Sequence, residues 1–298
     1  FPISSGTSNV KLGVNAGNSI ASGGNYNVVV GDEAGTALTT GDQNVAVGFE
    51  ALNSEDAGIR SVAIGNRALK AQNASADAFN VAVGFDAGVQ NTIAGAQAGD
   101  SLTDADYNTA MGYLALSADT LGSRSVAIGR TALRDQNFTT ATDSNNVAVG
   151  YAAGASTTTG VKNVLIGAEA GDAITSGNSN IALGYAALSS DTKGDRNVAV
   201  GLEALTTQNF TTTTDAYNVG VGHHAGKSIT TGLNNTIVGG LAGDVLTDAD
   251  FNVAIGVEAL TSDTLGSKSI AIGTGALATQ NFTTATDSHN TAVGHLAG

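Results

Sequence analysis

The chain has 298 residues, a formal net charge of −14, 40 glycines, one proline and no cysteine. The absence of cysteine excludes disulfides and thiolate chemistry, and glycine without a Gly-X-Y period excludes collagen. The negative charge argues against nucleic acid and anionic membrane surfaces as partners, because both attract Lys and Arg. No apolar run approaches the roughly 20 residues of a membrane span, so membrane insertion is not expected.

A five-residue motif, Asn-Val-Ala-Val-Gly and its variants, recurs along the whole chain. It begins at residues 9, 27, 44, 61, 80, 91, 108, 125, 146, 163, 180, 197, 218, 235, 252, 269 and 290. Most of these seventeen units are 17 residues apart. With the first residue of each unit counted as position 1, position 5 is always glycine and position 8 is always alanine. Position 1 is Asn except at Ser61, Ser125 and Ser269.

Each unit starts with a predicted strand at positions 2–4, because Val-Ala-Val and Val-Ala-Ile suit a pleated backbone. A 17-residue unit is too short for a helical hairpin repeat. The sequence therefore predicts an all-β fold, a single parallel β-solenoid or β-roll of about 17 coils over residues 1–298. Position 5 is expected to turn the chain and position 8 to enter the core. The stacked Asn residues predict either a ladder of amide hydrogen bonds or turn caps.

The spacing of the motif groups the coils into modules of four, about 72 residues long. These modules cover residues 9–79, 80–145, 146–217 and 218–289, with half-coils at 1–8 and 290–298. The last coil of a module carries a longer loop, at residues 136–140 and again at 208–212 and 280–284.

Side chains alternate between the two faces of a strand, so Val45 and Val47 lie on one face and Ala46 on the other. We expect the valines to face the interior of the coil and position 3 to face outward. Position 3 then forms a flat apolar stripe, which is typical of a protein interface, and predicts lateral self-association with cyclic symmetry, such as a trimer. Coverage of this face by the same chain is the alternative. The predicted lateral interface consists of Val29, Ala46, Ala63, Ile93, Ala127, Leu165, Ala199, Ile237 and Ala271.

The two half-coils together make one coil, so a second subunit stacked end-on completes it. This predicts a head-to-tail filament, a contact that does not close. Its predicted residues are Phe1, Pro2, Ile3, Val293 and Leu296. The alternative is a chain trimmed inside a longer repeat array.

Other chemistry is sparse in this sequence. The candidate calcium ligands are Asp104, Asp106, Asp248 and Asp250, in Leu-Thr-Asp-Ala-Asp loops, where solvated carboxylates are the simpler interpretation. The N-glycosylation pattern occurs at Asn73, Asn137, Asn209, Asn234 and Asn281. His223 and His224 occupy a variable surface position, and no nucleophile pairs with a base. We expect neither catalysis nor a cofactor.

Ser61-Val62-Ala63-Ile64-Gly65 and its copies from Ser125 and Ser269 resemble the head repeat of trimeric autotransporter adhesins, and similar repeats occur in phage tail fibres. The resemblance implies a left-handed parallel β-roll of three chains, at a cell surface or on a virion fibre, that binds host matrix or cells. The coil here is longer than in those heads. Two functions follow as expectations: a structural subunit of an extracellular fibre, or an adhesin or tail-fibre module that binds a cell-surface or glycan receptor. A third, ice binding, requires threonines aligned on successive coils.

Overall fold

The computed structural model describes residues 6–72, 80–85, 87, 91–102 and 105–298. The described residues form strands and turns and contain no helix, so the predicted all-β fold is confirmed. The chain comprises two compact units, unit 1 at Phe1–Ser144 and unit 2 at Asn145–Gly298. Their boundary lies within one residue of the predicted boundary between the second and third modules.

Unit 1 contains ten short strands in its described residues. They are β1 (Val10–Leu12), β2 (Val28–Val30), β3 (Val45–Val47), β4 (Val62–Ile64), β5 (Val81–Val83), β6 (Thr92–Ala94), β7 (Thr109–Met111), β8 (Gly122–Ser123), β9 (Val126–Ile128) and β10 (Thr142–Asp143). Eight of them are the three-residue strands that begin successive coils, and they pair in order as one parallel sheet. The other two, β8 and β10, pair with each other where the longer loop returns.

Unit 2 repeats this arrangement with nine coil strands and two short pairs. Its strands are β11 (Val147–Val149), β12 (Val164–Ile166), β13 (Ile181–Leu183), β14 (Gly194–Asp195), β15 (Val198–Val200), β16 (Thr214–Asp215), β17 (Val219–Val221), β18 (Thr236–Val238), β19 (Val253–Ile255), β20 (Gly266–Ser267), β21 (Ile270–Ile272), β22 (Thr286–Asp287) and β23 (Thr291–Val293). The short pairs are β14 with β16 and β20 with β22.

Equivalent positions of successive coils lie side by side, which is the register of a parallel β-solenoid. Val147 pairs with Val164, Ala148 with Leu165 and Val149 with Ile166, and the same positions pair through the rest of unit 2. The repeat of about 17 residues is therefore one turn of the solenoid. Each strand finds its backbone partners only in the neighbouring coils.

The invariant glycine at position 5 turns the chain as predicted. Its φ lies between 130° and 147° in every coil, a range that side-chain-bearing residues rarely adopt. A Cβ on Gly256 would lie 2.6 Å from the carbonyl carbon of Gly273 in the next coil. Both the backbone conformation and the contact between coils require the missing side chain. The invariant alanine at position 8 is buried, as in Ala170 and Ala204.

The prediction for the two strand faces was wrong. Position 3 faces inward, and positions 2 and 4 face outward, as the exposures of Val45, Ala46 and Val47 illustrate. The first strand, β1, differs in that its position 3 is the half-buried Lys11. Every residue that was predicted for the lateral interface is instead buried in the core. These are Val29, Ala46, Ala63, Ile93, Ala127, Leu165, Ala199, Ile237 and Ala271.

The physical reason is the narrowness of the coil. Position 3 packs against position 9 inside the coil. Where position 3 is large, position 9 is glycine: a Cβ on Gly99 would lie 2.8 Å from Cδ1 of Ile93. In the third and fourth coils of each module position 3 is alanine and position 9 is a buried leucine, as at Ala182 and Leu188. In the first coil of unit 2 both positions are small, Ala148 and Gly154. A β-branched side chain facing inward in every coil leaves no space for that leucine.

The predicted Asn ladder is present, although it joins side chains mainly to the backbone. Asn163 Oδ1 accepts the backbone N–H of Asn180 at 2.9 Å, and its Nδ2 donates to the carbonyl of Gly177 at 2.9 Å. The same pair of bonds recurs at Asn146 and Asn252. One buried amide thus closes its own coil and joins it to the next, and the turn-cap alternative is not what these residues do.

Candidate interaction surface

The outward face of each coil sheet is apolar. Positions 2 and 4 carry only Val, Ile, Leu, Met, Ala or Thr in the coil strands that the structure describes, and none of these residues is charged. Ile166 and Ile181, for example, are 40% and 37% exposed. We call this surface, positions 2 and 4 of the coil strands, the sheet face.

The side chains at position 6 border the sheet face, just beyond the glycine turn. From Phe49 to Tyr185, alternate coils place a half-exposed aromatic ring there, as Tyr113, Tyr151 and Tyr185 do. The intervening coils carry residues without an aromatic ring, such as Ala96 and Ala168. The backbone of this border is held between coils: Glu169 donates its N–H to the carbonyl of Tyr151 at 2.8 Å.

The charged groups of unit 2 lie outside the sheet face, and several of them are on the turn after it. The charge of Glu169, together with a hydrogen bond between the two side chains, raises the pKa of Tyr185. One turn further, Lys227 Nζ lies 2.5 Å from Glu203 Oε2 and lowers the pKa of Glu203. His224 Nε2 is 3.2 Å from the same carboxylate, and its ring stacks on that of His223 with centroids 3.7 Å apart.

A buried carboxyl recurs once per module, at position 12 of the third coil. Glu55, Asp119, Asp191 and Asp263 are each 0% exposed. Each accepts a hydrogen bond from a glutamine at position 12 of the following coil, such as Gln136 Nε2 to Asp119 Oδ2 at 2.5 Å. The remaining donors are Gln72, Gln208 and Gln280. Sequence reasoning missed these groups, although the recurring acid and glutamine were a visible signal.

The aspartates predicted as calcium ligands hold hydrogen bonds between coils. Asp248 Oδ1 accepts from Thr231 Oγ1 at 2.6 Å, and Asp250 Oδ1 accepts the N–H of Leu233 at 2.7 Å. Asp106 donates its N–H to Ser123 Oγ at 2.9 Å, and Asp104 lies outside the described residues. Within the described ranges, no three His, Asp or Glu side chains converge as a metal site.

The glycosylation candidates differ in their surroundings. Asn137, Asn209 and Asn281 are exposed on the longer loops, and Asn209 Oδ1 accepts a hydrogen bond from Thr192 Oγ1 at 3.0 Å. Asn234 is half-buried, and its N–H donates to the carbonyl of Ala216 at 2.8 Å. Asn73 lies outside the described residues.

The residues predicted for end-to-end contact are described only in part. Val293 and Leu296 are each 67% exposed, whereas Phe1, Pro2 and Ile3 lie outside the described residues. The end-to-end contact therefore stays a prediction.

Threonines align on three successive coils of unit 2. Thr158 Oγ1 donates to the carbonyl of Thr175 at 3.1 Å, and Thr175 Oγ1 donates to that of Thr192 at 3.0 Å. The column is interrupted by Asn209 in the fourth coil. These hydroxyls join one coil to the next, so stacking of the coils accounts for the threonine column.

No protein-family model matches the chain, and no curated protein sequence is significantly similar to it. None of the segments that the structure describes forms a helix long and apolar enough to cross a bilayer.

Proposed function

We propose that the chain is a structural subunit of an extracellular fibre, which assembles laterally through the sheet face and has no catalytic role. The observation that supports this proposal is the uncharged, apolar composition of positions 2 and 4 in every described coil strand. Soluble monomers rarely expose a continuous apolar patch of more than a few hundred Å². A chain with net charge −14 has charged residues available for this face, yet none lies there.

The size of the surface suits self-association. Nine strands about 4.8 Å apart make the sheet face of unit 2 about 40 Å long. Across positions 2 to 4 it is about 10 Å wide, at roughly 3.3 Å per residue. Two copies face to face then bury about 800 Å², and the bordering side chains at position 6 add to this area toward the roughly 1,000 Å² of a specific interface. The partner we propose is a second copy, because its side chains have the same spacing from coil to coil.

Lateral packing is expected to give a closed cyclic oligomer. Two copies that pack face to face close as a dimer, whereas in a trimer the sheet face of each copy contacts a different surface of the next copy around the axis. End-to-end contacts through Val293 and Leu296 add a second direction of assembly in this proposal. The resemblance to adhesin heads supports the trimer, and the absence of cysteine fits an exported bacterial, archaeal or viral protein.

The experiment is to place charge on the sheet face. In Ile181→Lys/Val198→Lys, two outward positions of neighbouring strands become cationic while the core is untouched. Sedimentation and electron microscopy should show oligomers or fibres for the unchanged chain and a shift to monomer for this variant. The matched control is Thr159→Lys/Thr231→Lys, which changes two exposed residues away from the sheet face. A chain that stays monomeric at high concentration, or a sheet-face variant that assembles normally, contradicts the proposal.

A second candidate function is binding of a cell-surface or glycan receptor. The observation that favours it is the row of half-exposed rings at Tyr113, Tyr151 and Tyr185, because tyrosine offers both an apolar ring and a hydroxyl to a ligand. A glycan array probed with the unchanged chain and with Tyr151→Ala/Tyr185→Ala tests it. Specific binding lost in that variant, but kept in Tyr217→Ala outside the row, supports a receptor-binding module; absence of any glycan signal counts against it.

A further inference from the structure

The first coil of unit 1 carries a charged residue where the other coils carry a core residue. Lys11 lies at position 3 of β1 and is half-buried. In all the other coil strands that the structure describes, position 3 is uncharged and buried, as Val29 and Ala46 are. This exception requires a physical reason that applies to β1 and not to the strands stacked after it.

The stem of Lys11 covers the core of its own coil. A Cβ on Gly17, at position 9, would lie 3.4 Å from Cε of Lys11. Ala16 and Ile20 of the same coil are buried, although no described strand lies on the outer side of β1. Lysine can cover apolar surface with its methylene chain while its ammonium group stays in water. Lys11 therefore shields the core of the first coil only as long as its ammonium group has access to water.

The backbone of β1 is able to pair with a further strand. β1 pairs with β2 on one side, and none of the described strands pairs with its other edge. In the second coil, Gly31 donates its N–H to the carbonyl of Leu12 at 2.7 Å, which lies in the coil before it. The equivalent N–H of Gly13 therefore points to the open side. An unpaired edge of this kind is a template for a strand of another chain.

The other side chains of β1 do not oppose such pairing. Val10 and Leu12, at positions 2 and 4, are exposed and apolar, as the equivalent residues of the sheet face are. Gly13 has φ +136°, the conformation of position 5 in the stacked coils. Lys11 is therefore the side chain of β1 that distinguishes this edge from the edges that are paired.

We propose that Lys11 caps the solenoid at β1 and prevents a second copy of the chain from stacking on this edge. A stacked coil of a second copy would place its own position 3 next to Lys11, and that position is uncharged in the other described coil strands. The ammonium group would then be enclosed without a carboxylate partner, which is unfavourable. An inward-pointing charge is one way in which proteins protect an edge strand, and repeat arrays need caps at their ends.

The cap goes beyond the proposed function and restricts the direction of assembly. Lateral packing uses positions 2 and 4, so it leaves the ammonium group of Lys11 in water. A head-to-tail contact, in contrast, would bring β23 of one copy against β1 of the next and enclose Lys11 beside Ala292. End-to-end contact through Val293 and Leu296 is therefore expected to join two ends of the same kind and not to reach β1.

Hydrogen exchange of the intact chain, measured by mass spectrometry at increasing protein concentration, tests the cap. A peptide at residues 9–17 contains the N–H of Gly13, and a peptide at 28–35 from the second coil is the internal reference. Lateral packing affects the two peptides alike, whereas stacking on β1 protects the first one selectively. We expect no selective protection in the unchanged chain at any concentration. Lys11→Ile, which copies Ile93 at the same position, should exchange severalfold more slowly in residues 9–17 at high concentration.

Three further variants complete the experiment. Lys11→Arg keeps the charge and should stay capped, and Lys162→Ile makes the same substitution at an exposed lysine outside the core and should not alter exchange in β1. Lys11→Ala copies the small pair of Ala148 and Gly154 and replaces the isoleucine variant if that one fails to fold. Selective protection that rises with concentration in the unchanged chain overturns the proposal. So does its absence in the folded isoleucine or alanine variant, whether or not the chain assembles laterally.

Discussion

Leu165 and Gly171 share one space in the core of their coil. A Cβ on Gly171 would lie 2.7 Å from Cδ2 of Leu165. In the next coil the arrangement is reversed, with the small side chain at Ala182 and the large one at Leu188, both fully buried. In these two neighbouring coils the large side chain therefore comes from position 3 in one and from position 9 in the other.

Exchanging the two residues tests whether they compete for the same space. Leu165→Ala alone leaves a cavity and should cost about 2–5 kcal/mol of unfolding free energy. Gly171→Leu alone overfills the coil and should cost about 1–3 kcal/mol. The double variant should recover the part of this loss that comes from the clash with Leu165, since Gly171 and Leu188 have the same φ of 55°. Ile174 Cδ1, which lies 2.8 Å from a Cβ on Gly171, still has to move. Denaturant unfolding of the four chains gives the interaction energy directly.

The control for this exchange is Ile166→Ala, which removes a similar side chain from the sheet face of the same strand. It should cost less than Leu165→Ala, since Ile166 is 40% exposed in a single chain. Losses that simply add in the double variant would mean that Leu165 and Gly171 do not share a space.

The Asn ladder makes a second prediction, at Asn180. Its Oδ1 accepts the N–H of Asn197 at 2.9 Å and its Nδ2 donates to the carbonyl of Gly194 at 2.8 Å. Asn180→Leu keeps the size of the side chain but leaves both buried backbone groups unpaired, at a cost of about 1–3 kcal/mol for each.

Asn180→Ser is the matched control, because serine occupies the same position at Ser61, Ser125 and Ser269. It should retain part of the stability that Asn180→Leu loses, as measured by thermal unfolding. Equal melting temperatures for the leucine and serine variants would show that hydrogen bonding at position 1 contributes little.

The repeat was sufficient to predict the fold, for physical reasons. A 17-residue period that contains one β-branched strand is most simply explained if each repeat forms one turn of a solenoid. In the structure Val147 pairs with Val164, the equivalent residue of the next repeat. The role of the invariant glycine at position 5 was also predictable, because a position restricted to glycine implies either a positive φ or a close backbone contact. Both conditions hold at Gly256.

Two features were not predicted from the sequence: which face of each strand lies in the core, and the buried hydrogen bonds between an acid and a glutamine of the next coil. In Val45-Ala46-Val47 the two faces differ in bulk but not in polarity, so the pattern alone does not say which one is inside. The decisive information was the exchange of size between positions 3 and 9, which requires knowing that they are in contact. Asp191 and Gln208 are 17 residues apart, and their pairing becomes visible only once the coils are stacked.

The ion pair of Glu203 and Lys227 makes a third prediction, which concerns the pH dependence of stability. The hydrogen bond from Lys227 lowers the pKa of Glu203 in the folded state. Its contribution to stability is present above the unfolded-state pKa and is lost as the pH falls through the lowered value. Lys227→Gln should therefore flatten the acid side of the stability curve, with a small effect because the pair is partly exposed.

Melting temperatures between pH 3 and pH 7 provide the measurement for this pair. Lys162→Gln, a change of the same charge at an exposed lysine, serves as control. If both variants change the melting temperature equally at low pH, the change in net charge rather than the loss of the Glu203 pair explains the effect.

Two adjacent glycines, Gly239 and Gly240, make the sharpest test of the coil geometry. Gly239 has φ +141°, and a Cβ there would lie 2.6 Å from the carbonyl carbon of Gly256. Gly239→Ala should therefore destabilise unit 2 by several kcal/mol or prevent its folding, because strain and a backbone clash add. A Cβ on Gly240 meets nothing within 4 Å, so Gly240→Ala should be neutral or stabilising by about 0.4–1 kcal/mol through the unfolded state. Similar unfolding free energies for the two variants would contradict the stacking of position 5 between coils.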